Sequence, residues 1–200
     1  MRRPRGHLWY EHVETILCHA LGQGGRCLNF RMDSMMSDSD LLEPSIDPKK
    51  KVIGYRNVVC ENPAGGARTV VSVRDTPGFV IDEPTERGGT NKGPTPVESV
   101  MGGLCGCDAA ITHQVAHIMK FKYGDVSYSC DAEIDVRGAR GVKGVRPYFE
   151  KVTVKKIFRS NESAERIEKL KANVEQRCPV SNLIRDAGVD LHIEWVIEPM

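Results

Sequence analysis

Residues 95–107 read Thr95-Pro96-Val97-Glu98-Ser99-Val100-Met101-Gly102-Gly103-Leu104-Cys105-Gly106-Cys107. Thr95 is a good N-cap, Pro96 sits at the first helical position, and Glu98 falls at the third. That is a capping box, with proline placed where its missing N–H costs nothing. Val100, Leu104, Cys107, Ile111 and Ile118 recur mostly at three or four and predict one apolar stripe running toward Lys120. Gly102, Gly103 and Gly106 interrupt the helix at about 1 kcal/mol each against alanine, so the reading expects another backbone or a ligand to approach there.

Outward from this helix the pattern alternates. Val52 to Cys60 reads as a strand, Glu61 to Ala67 as a turn in which Gly65 and Gly66 can take positive φ, and Thr69 to Arg74 as a second strand. Pro77 to Ile81 adds a short third strand, and Glu83 to Pro94 is a Pro/Gly loop. After the helix, Val126 to Val136 reads as a strand, Gly138 to Gly144 as a turn-rich loop, and Phe149 to Phe158 as a strand. Ala164 to Arg177 predicts a helix with Ile167, Leu170, Val174 and Cys178 on one line. Pro179 stops it and starts a second helix ending near Gly188, and Val189 to Ile197 closes as a strand. The order β-β-(β)-α-β-β-α-α-β is α+β with mostly antiparallel strands.

Composition narrows the function classes. The 200 residues include 28 Lys plus Arg and 27 Asp plus Glu, a net charge of +1, without the basic excess of a nucleic-acid binder. At 40% hydrophobic residues one buried core is feasible, and no apolar run is long enough for a membrane span. Residues 1–40 form an N-terminal extension and residues 41–200 the domain, whose globular part starts near Lys50. The extension has three readings: a disordered tail, a non-native extension with Met35 or Met36 as the working start, or an organellar transit peptide. Its arginines fit the last, whereas Glu11, Glu14, Asp33 and scarce serines oppose it; Trp9 to Leu21 can form a short helix.

Seven cysteines, at 18, 27, 60, 105, 107, 130 and 178, are odd in number in a chain with no evident secretory signal. Reduced thiols are the default, and no pair of CxxC motifs makes a zinc tetrahedron. Cys107 on the apolar stripe is a small buried hydrophobe unless a cation reaches it and makes it a nucleophile. Cys178 precedes Pro179 and so sits at or beside a helix N-cap, where the dipole favours thiolate; the alternative is a packed helix-end cysteine. Cys105 is a rival nucleophile about 200° round the helix from Cys107. His113 and His117, at i and i+4, lack a Glu and a third ligand and read as a packed or surface pair. Gly88 to Gly93 lacks phosphate-loop spacing and reads as a mobile loop before the helix. Lys155, Lys156 and the lysines at 169 and 171 read as solvated faces.

The segment from Gly93 to Cys107 resembles the signature of the OsmC/Ohr family: a Pro-started helix, a small-residue stretch, then a cysteine at the spacing of Pro96 and Cys107. Cys178-Pro179-Val180-Ser181 resembles that family's second signature, and the resemblance covers roughly residues 50 to 198. It implies an OsmC-like fold with antiparallel sheets around central helices, built as an intertwined homodimer. It also implies thiol-dependent reduction of organic hydroperoxides in oxidative-stress defence, with Cys107 as the attacking thiol and Cys178 as the resolving one. An external dithiol, such as a lipoyl protein or a small thiol, would reset the pair, and no metal or flavin is needed.

The family's better-known peroxidases carry a Glu at the second helical position, where it pairs with an Arg that activates the thiolate. This chain has Val97 there, and Glu98 lies about 100° further round the helix. Arg68, after Gly65-Gly66, best matches the activating Arg, and Arg74 is second; both otherwise read as solvated charges. Val97, Glu98 and Leu104 are the candidate substrate-binding positions. Two functions follow: a Cys-based hydroperoxide reductase, or an OsmC-fold protein that binds a small ligand or senses redox state without efficient turnover. The expected location is cytoplasmic, or mitochondrial if the extension is a transit peptide.

Overall fold

A computed structural model describes residues 47 and 49–200. The N-terminal extension at 1–40, the helix over Trp9 to Leu21, and Cys18 and Cys27 lie outside the described residues. A first sheet is formed by β1 (Val59–Glu61), β2 (Thr69–Ser72) and β3 (Phe79–Ile81), all antiparallel, with Cys60 opposite Val71 and Val70 opposite Val80. The expected strand over Val52 to Cys60 pairs only at its end; Val52, Ile53 and Tyr55 are exposed and unpaired.

The long helix α1 (Pro96–Met119) begins as its sequence dictates. Thr95 Oγ1 accepts from the Glu98 amide, and Glu98 Oε2 accepts from the Thr95 amide at 2.7 Å, so both arms of the capping box are closed. Its buried face, however, is Met101, Leu104, Asp108, Thr112, Val115 and Ala116, whereas Val100 and Ile118 of the expected stripe are 45% and 59% exposed. The apolar reading slipped because two polar residues, Asp108 and Thr112, lie at the centre of the inward face.

The second sheet contains β4 (Val126–Ile134), β5 (Phe149–Arg159) and β6 (Asp190–Glu198), with β5 central. β4 runs antiparallel to β5, whereas β6 runs parallel to it, the one exception among the described strands to the mostly antiparallel order expected. The parallel pairing needs a long crossover, supplied by α3 (Ala164–Arg177) and α4 (Pro179–Asp186). A single turn, α2 (Val136–Ala139), capped by Asp135, ends β4 early. Along β5, Val152, Val154, Lys156 and Phe158 alternate inward at period two. Two apolar clusters result. Met101, Leu104, Val152, Val154, Ile184 and Val189 form one; Val115, Phe121, Phe158, Leu170, Val174 and Trp195 belong to the other.

The loop before α1 is a folded structure, not the loose connection expected. Asp82, with no exposed surface, accepts through Oδ2 from the Thr90 amide, Thr90 Oγ1 and the Lys92 amide, and through Oδ1 from the Glu83 amide. The Thr90 hydroxyl, then these amides, hold its carboxyl below the usual range against the cost of burial. Gly89 and Gly93 let the loop close. A Cβ on Gly89 would stand 1.8 Å from the Glu83 carbonyl oxygen, and one on Gly93 2.0 Å from that of Val80. Asp82→Ala should therefore open this loop, seen as faster hydrogen exchange at the Thr90 and Lys92 amides with α1 still protected. Unchanged exchange at both amides contradicts the assignment.

Candidate functional site

The site grows from the break between α3 and α4. Pro179 disfavours a helical conformation for the residue before it, and Cys178 is accordingly extended at φ −74°, ψ 108°. It ends α3, donating its amide to the Val174 carbonyl, and caps α4, accepting from the Asn182 amide. Its side chain is fully buried. Cys107, half-buried on the flank of α1, lies beside the Cys178 thiol and the Val180 amide. That amide belongs to the first turn of α4, where the helix dipole favours a thiolate. Burial nevertheless pushes the Cys107 thiol up; the Val180 amide opposes this, while Cys178 and Asp108 add to it.

A buried ion pair backs the thiols. Lys156 has no exposed surface, which corrects its reading as part of a solvated face. Its Nζ donates to Asp108 Oδ1 at 2.6 Å and to Thr112 Oγ1 at 2.7 Å, and lies 3.5 Å from the centroid of the Trp195 ring. Tyr128 Oη donates to the same Asp108 oxygen at 2.8 Å. Burial drives the Lys156 ammonium down to about 8, against the pull of Asp108, Glu175 and Cys178, so its charge reaches the thiol site. Burial likewise raises the Glu175 carboxyl, against Lys171 and Arg185, and Glu175 Oε1 has no hydrogen-bond partner among the described residues. Sequence reasoning missed this group. The signal was available in the alternation Val152-x-Val154-x-Lys156-x-Phe158, hidden by reading Lys155-Lys156 as a charge run.

The other expected residues are more dispersed. Arg68 is exposed in the turn entering β2, where its carbonyl accepts from Asn62 Nδ2, and Arg74 is exposed with φ 52°. Glu98 is committed to the capping box, and Val97 beside it is 40% exposed. Leu104 is wholly buried and packs in the core with Val152 and Val154. His113 is exposed, its Nδ1 3.3 Å from Tyr123 Oη, and His117 is exposed on the last turn of α1. Among the described residues no three His, Cys, Asp or Glu side chains gather as a metal site, and no helix is long and apolar enough to cross a membrane.

Removing one partner of a buried pair strands the other charge. Lys156→Met should cost about 3–5 kcal/mol by urea unfolding, and Asp108→Asn/Lys156→Met should cost less than the sum of the single changes. The pH dependence has a definite sign. Between about 8 and the ordinary lysine value of 10.5 the unfolded chain binds the proton more tightly. The stability difference between wild type and Lys156→Met should therefore rise with pH across that window; a flat or falling difference contradicts the assignment.

Comparison with known proteins agrees with this architecture. A family model described as OsmC-like protein matches residues 89–194. No sequence among the curated proteins matches the chain. An OsmC-like protein from Mycoplasma pneumoniae superposes with a TM-score of 0.59 at 16% identity, covering 74% of this chain and 99% of its own. An organic hydroperoxide resistance protein OsmC from Legionella pneumophila gives 0.53 at 18% identity, with 74% and 99% coverage. An organic hydroperoxide resistance protein from Elizabethkingia anophelis gives 0.53 at 16% identity, covering 76% of this chain and 100% of its own. At these identities the likeness is one of fold. With more than half its residues matched by the family model and both thiols at the two family signatures, the chain belongs to the OsmC-like protein family.

Proposed function

We propose that the protein reduces organic hydroperoxides through Cys107 and Cys178. The observation that carries this reading is the placing of Cys107 beside Cys178 and the Val180 amide at the N-terminus of α4. The Cys107 thiolate attacks the O–O bond; the S–O bond forms as the O–O bond breaks, and the alkoxide leaves as an alcohol after taking a proton. Cys178 then attacks the sulfenic sulfur, forming the disulfide and releasing water. An external dithiol returns two electrons and restores both thiols. Names given to the Legionella and Elizabethkingia proteins support the substrate class.

A second reading, a thiol-lined binding protein without efficient turnover, is favoured by Val97 at the second position of α1 and by the exposure of Arg68. Purified protein mixed with an organic hydroperoxide and a dithiol distinguishes the two. Peroxide loss should fall to the dithiol blank in Cys107→Ser, while Cys178→Ser should complete a first reaction and accumulate oxidised Cys107. No loss above the blank from folded, reduced wild type sinks the reductase reading.

The working unit we propose is a homodimer packed through the exposed face of α1. Gly102, Gly103 and Gly106 leave open space, with nothing within 4 Å of an added Cβ, and no part of the described chain makes the close approach their sequence implied. Val100 and Ile118 are exposed beside them. The principal contacts of the first sheet are among its own strands, leaving it available to a second copy. Sedimentation should give a dimer for wild type and a folded monomer for Gly106→Arg. A wild type that sediments as a monomer at micromolar concentration removes the proposal.

A further inference from the structure

On the opposite flank of α1 from Cys107 stands a second pair of thiols. Cys105 and Cys130 are free and half-buried. Cys130 lies on β4 two residues beyond Tyr128, so both side chains point to α1. The Cys130 Sγ is 3.6 Å from Met101 Sδ, and Met101 lies one helical turn before Cys105. Cys130 therefore sits against the ridge made by Met101 and Cys105, donating its thiol proton to the Met101 sulfur, with Cys105 beside it on the same cluster. Beside Cys130 the Cys105 thiol lies below its ordinary value, with burial and Asp108 opposing, whereas Cys105 and burial push the Cys130 thiol up. Both residues pack against the cluster of Met101, Leu104, Val152 and Val154.

We propose that Cys105 and Cys130 form a second dithiol–disulfide site, which hydroperoxides oxidise to a covalent link between α1 and β4. The site is separate from Cys107 and Cys178 and does not rest on their chemistry. Cys105 thiolate attacks the hydroperoxide O–O bond; the S–O bond forms, and the leaving alkoxide takes a proton to become an alcohol or, from hydrogen peroxide, water. Cys130 sulfur then attacks the sulfenic sulfur. The S–S bond forms, the S–O bond breaks, and the hydroxide leaves as water with the Cys130 proton. Two electrons pass from the sulfurs to the peroxide, and a dithiol reverses the link. The link would tie α1 to β4 three residues before Asp108, fixing the helix beside the Asp108–Lys156 pair.

The test uses the full-length Cys107→Ser protein, in which the tryptic peptide 93–120 retains Cys105 alone and peptide 123–137 retains Cys130. Cumene hydroperoxide or hydrogen peroxide is added, free thiols are alkylated, and the peptides are mapped by mass spectrometry. The expected result is one species joining the two peptides, reversed by dithiothreitol, with both thiols lost together. In Cys107→Ser/Cys130→Ser, Cys105 should instead run on to sulfinic acid; Cys107→Ser/Cys130→Ala serves if the serine variant does not fold. The proposal is overturned if Cys105 and Cys130 both remain alkylatable when the exposed Cys60 is oxidised. It is equally overturned if oxygen is added to Cys105 or Met101 with no joined peptides. Peroxide turnover by wild type is read separately, so failure of either idea leaves the other standing.

Discussion

The ammonium of Lys156, held by Asp108 and Thr112 with no exposed surface, is the constraint around which the rest is arranged. Two charges removed from water are costly, and their mutual attraction compensates only when the geometry is right and the remaining valences are filled. Here Thr112, Tyr128 and the face of Trp195 surround the pair, all contacts to the carboxylate falling on Oδ1, while Asp108 Oδ2 has no hydrogen-bond partner among the described residues. Those partners come from α1, β4, β5 and β6, so the pair can be satisfied only when the helix lies on the sheet in one register. The ion pair lies between two apolar clusters, between Val154 and Phe158 on β5 and between Leu104 and Val115 on α1. It contributes specificity where an all-apolar seam would tolerate sliding.

The same helix separates the sulfur chemistry. Cys105 and Cys107, two residues apart, leave α1 about 200° apart and fall on either side of the Asp108 line. One meets Cys178 at the start of α4 and the other meets Cys130 on β4. Asp108 acts on Cys105 and Cys107 as a negative charge. The negative charge of Asp108 thus pushes both of these thiols in the same direction, up.

Much of the frame was legible in the chain. Thr95, Pro96 and Glu98 announce the start of α1, and Pro179 announces the break that exposes the Val180 amide, because caps and prolines act over a few residues. The pairing of Cys107 with Cys178 was implied by two family signatures and not by periodicity. Three things escaped. Val52 to Val58 have strand-like composition but no partner in the described chain. The parallel placement of β6 depends on where a two-helix crossover lands. The inward face of α1 was misread because Asp108 and Thr112 look like surface residues until a lysine is found opposite them.

The sequence by itself determined the helix starts and stops, the order of strands along the chain, and the family, since each depends on local backbone preference or on spacing along the chain. Tertiary structure alone decided which polar residues are buried and which cysteines meet. A lysine in a strand is ordinarily at the surface, and its burial becomes tolerable only when Asp108 and Thr112, more than forty residues away, come within hydrogen-bonding distance. Cys105 and Cys130 likewise become a pair only because α1 packs on β4 with Met101 between them and the core. Such partners are set by packing across the sheet, and nothing in the separation of two residues along a chain specifies it.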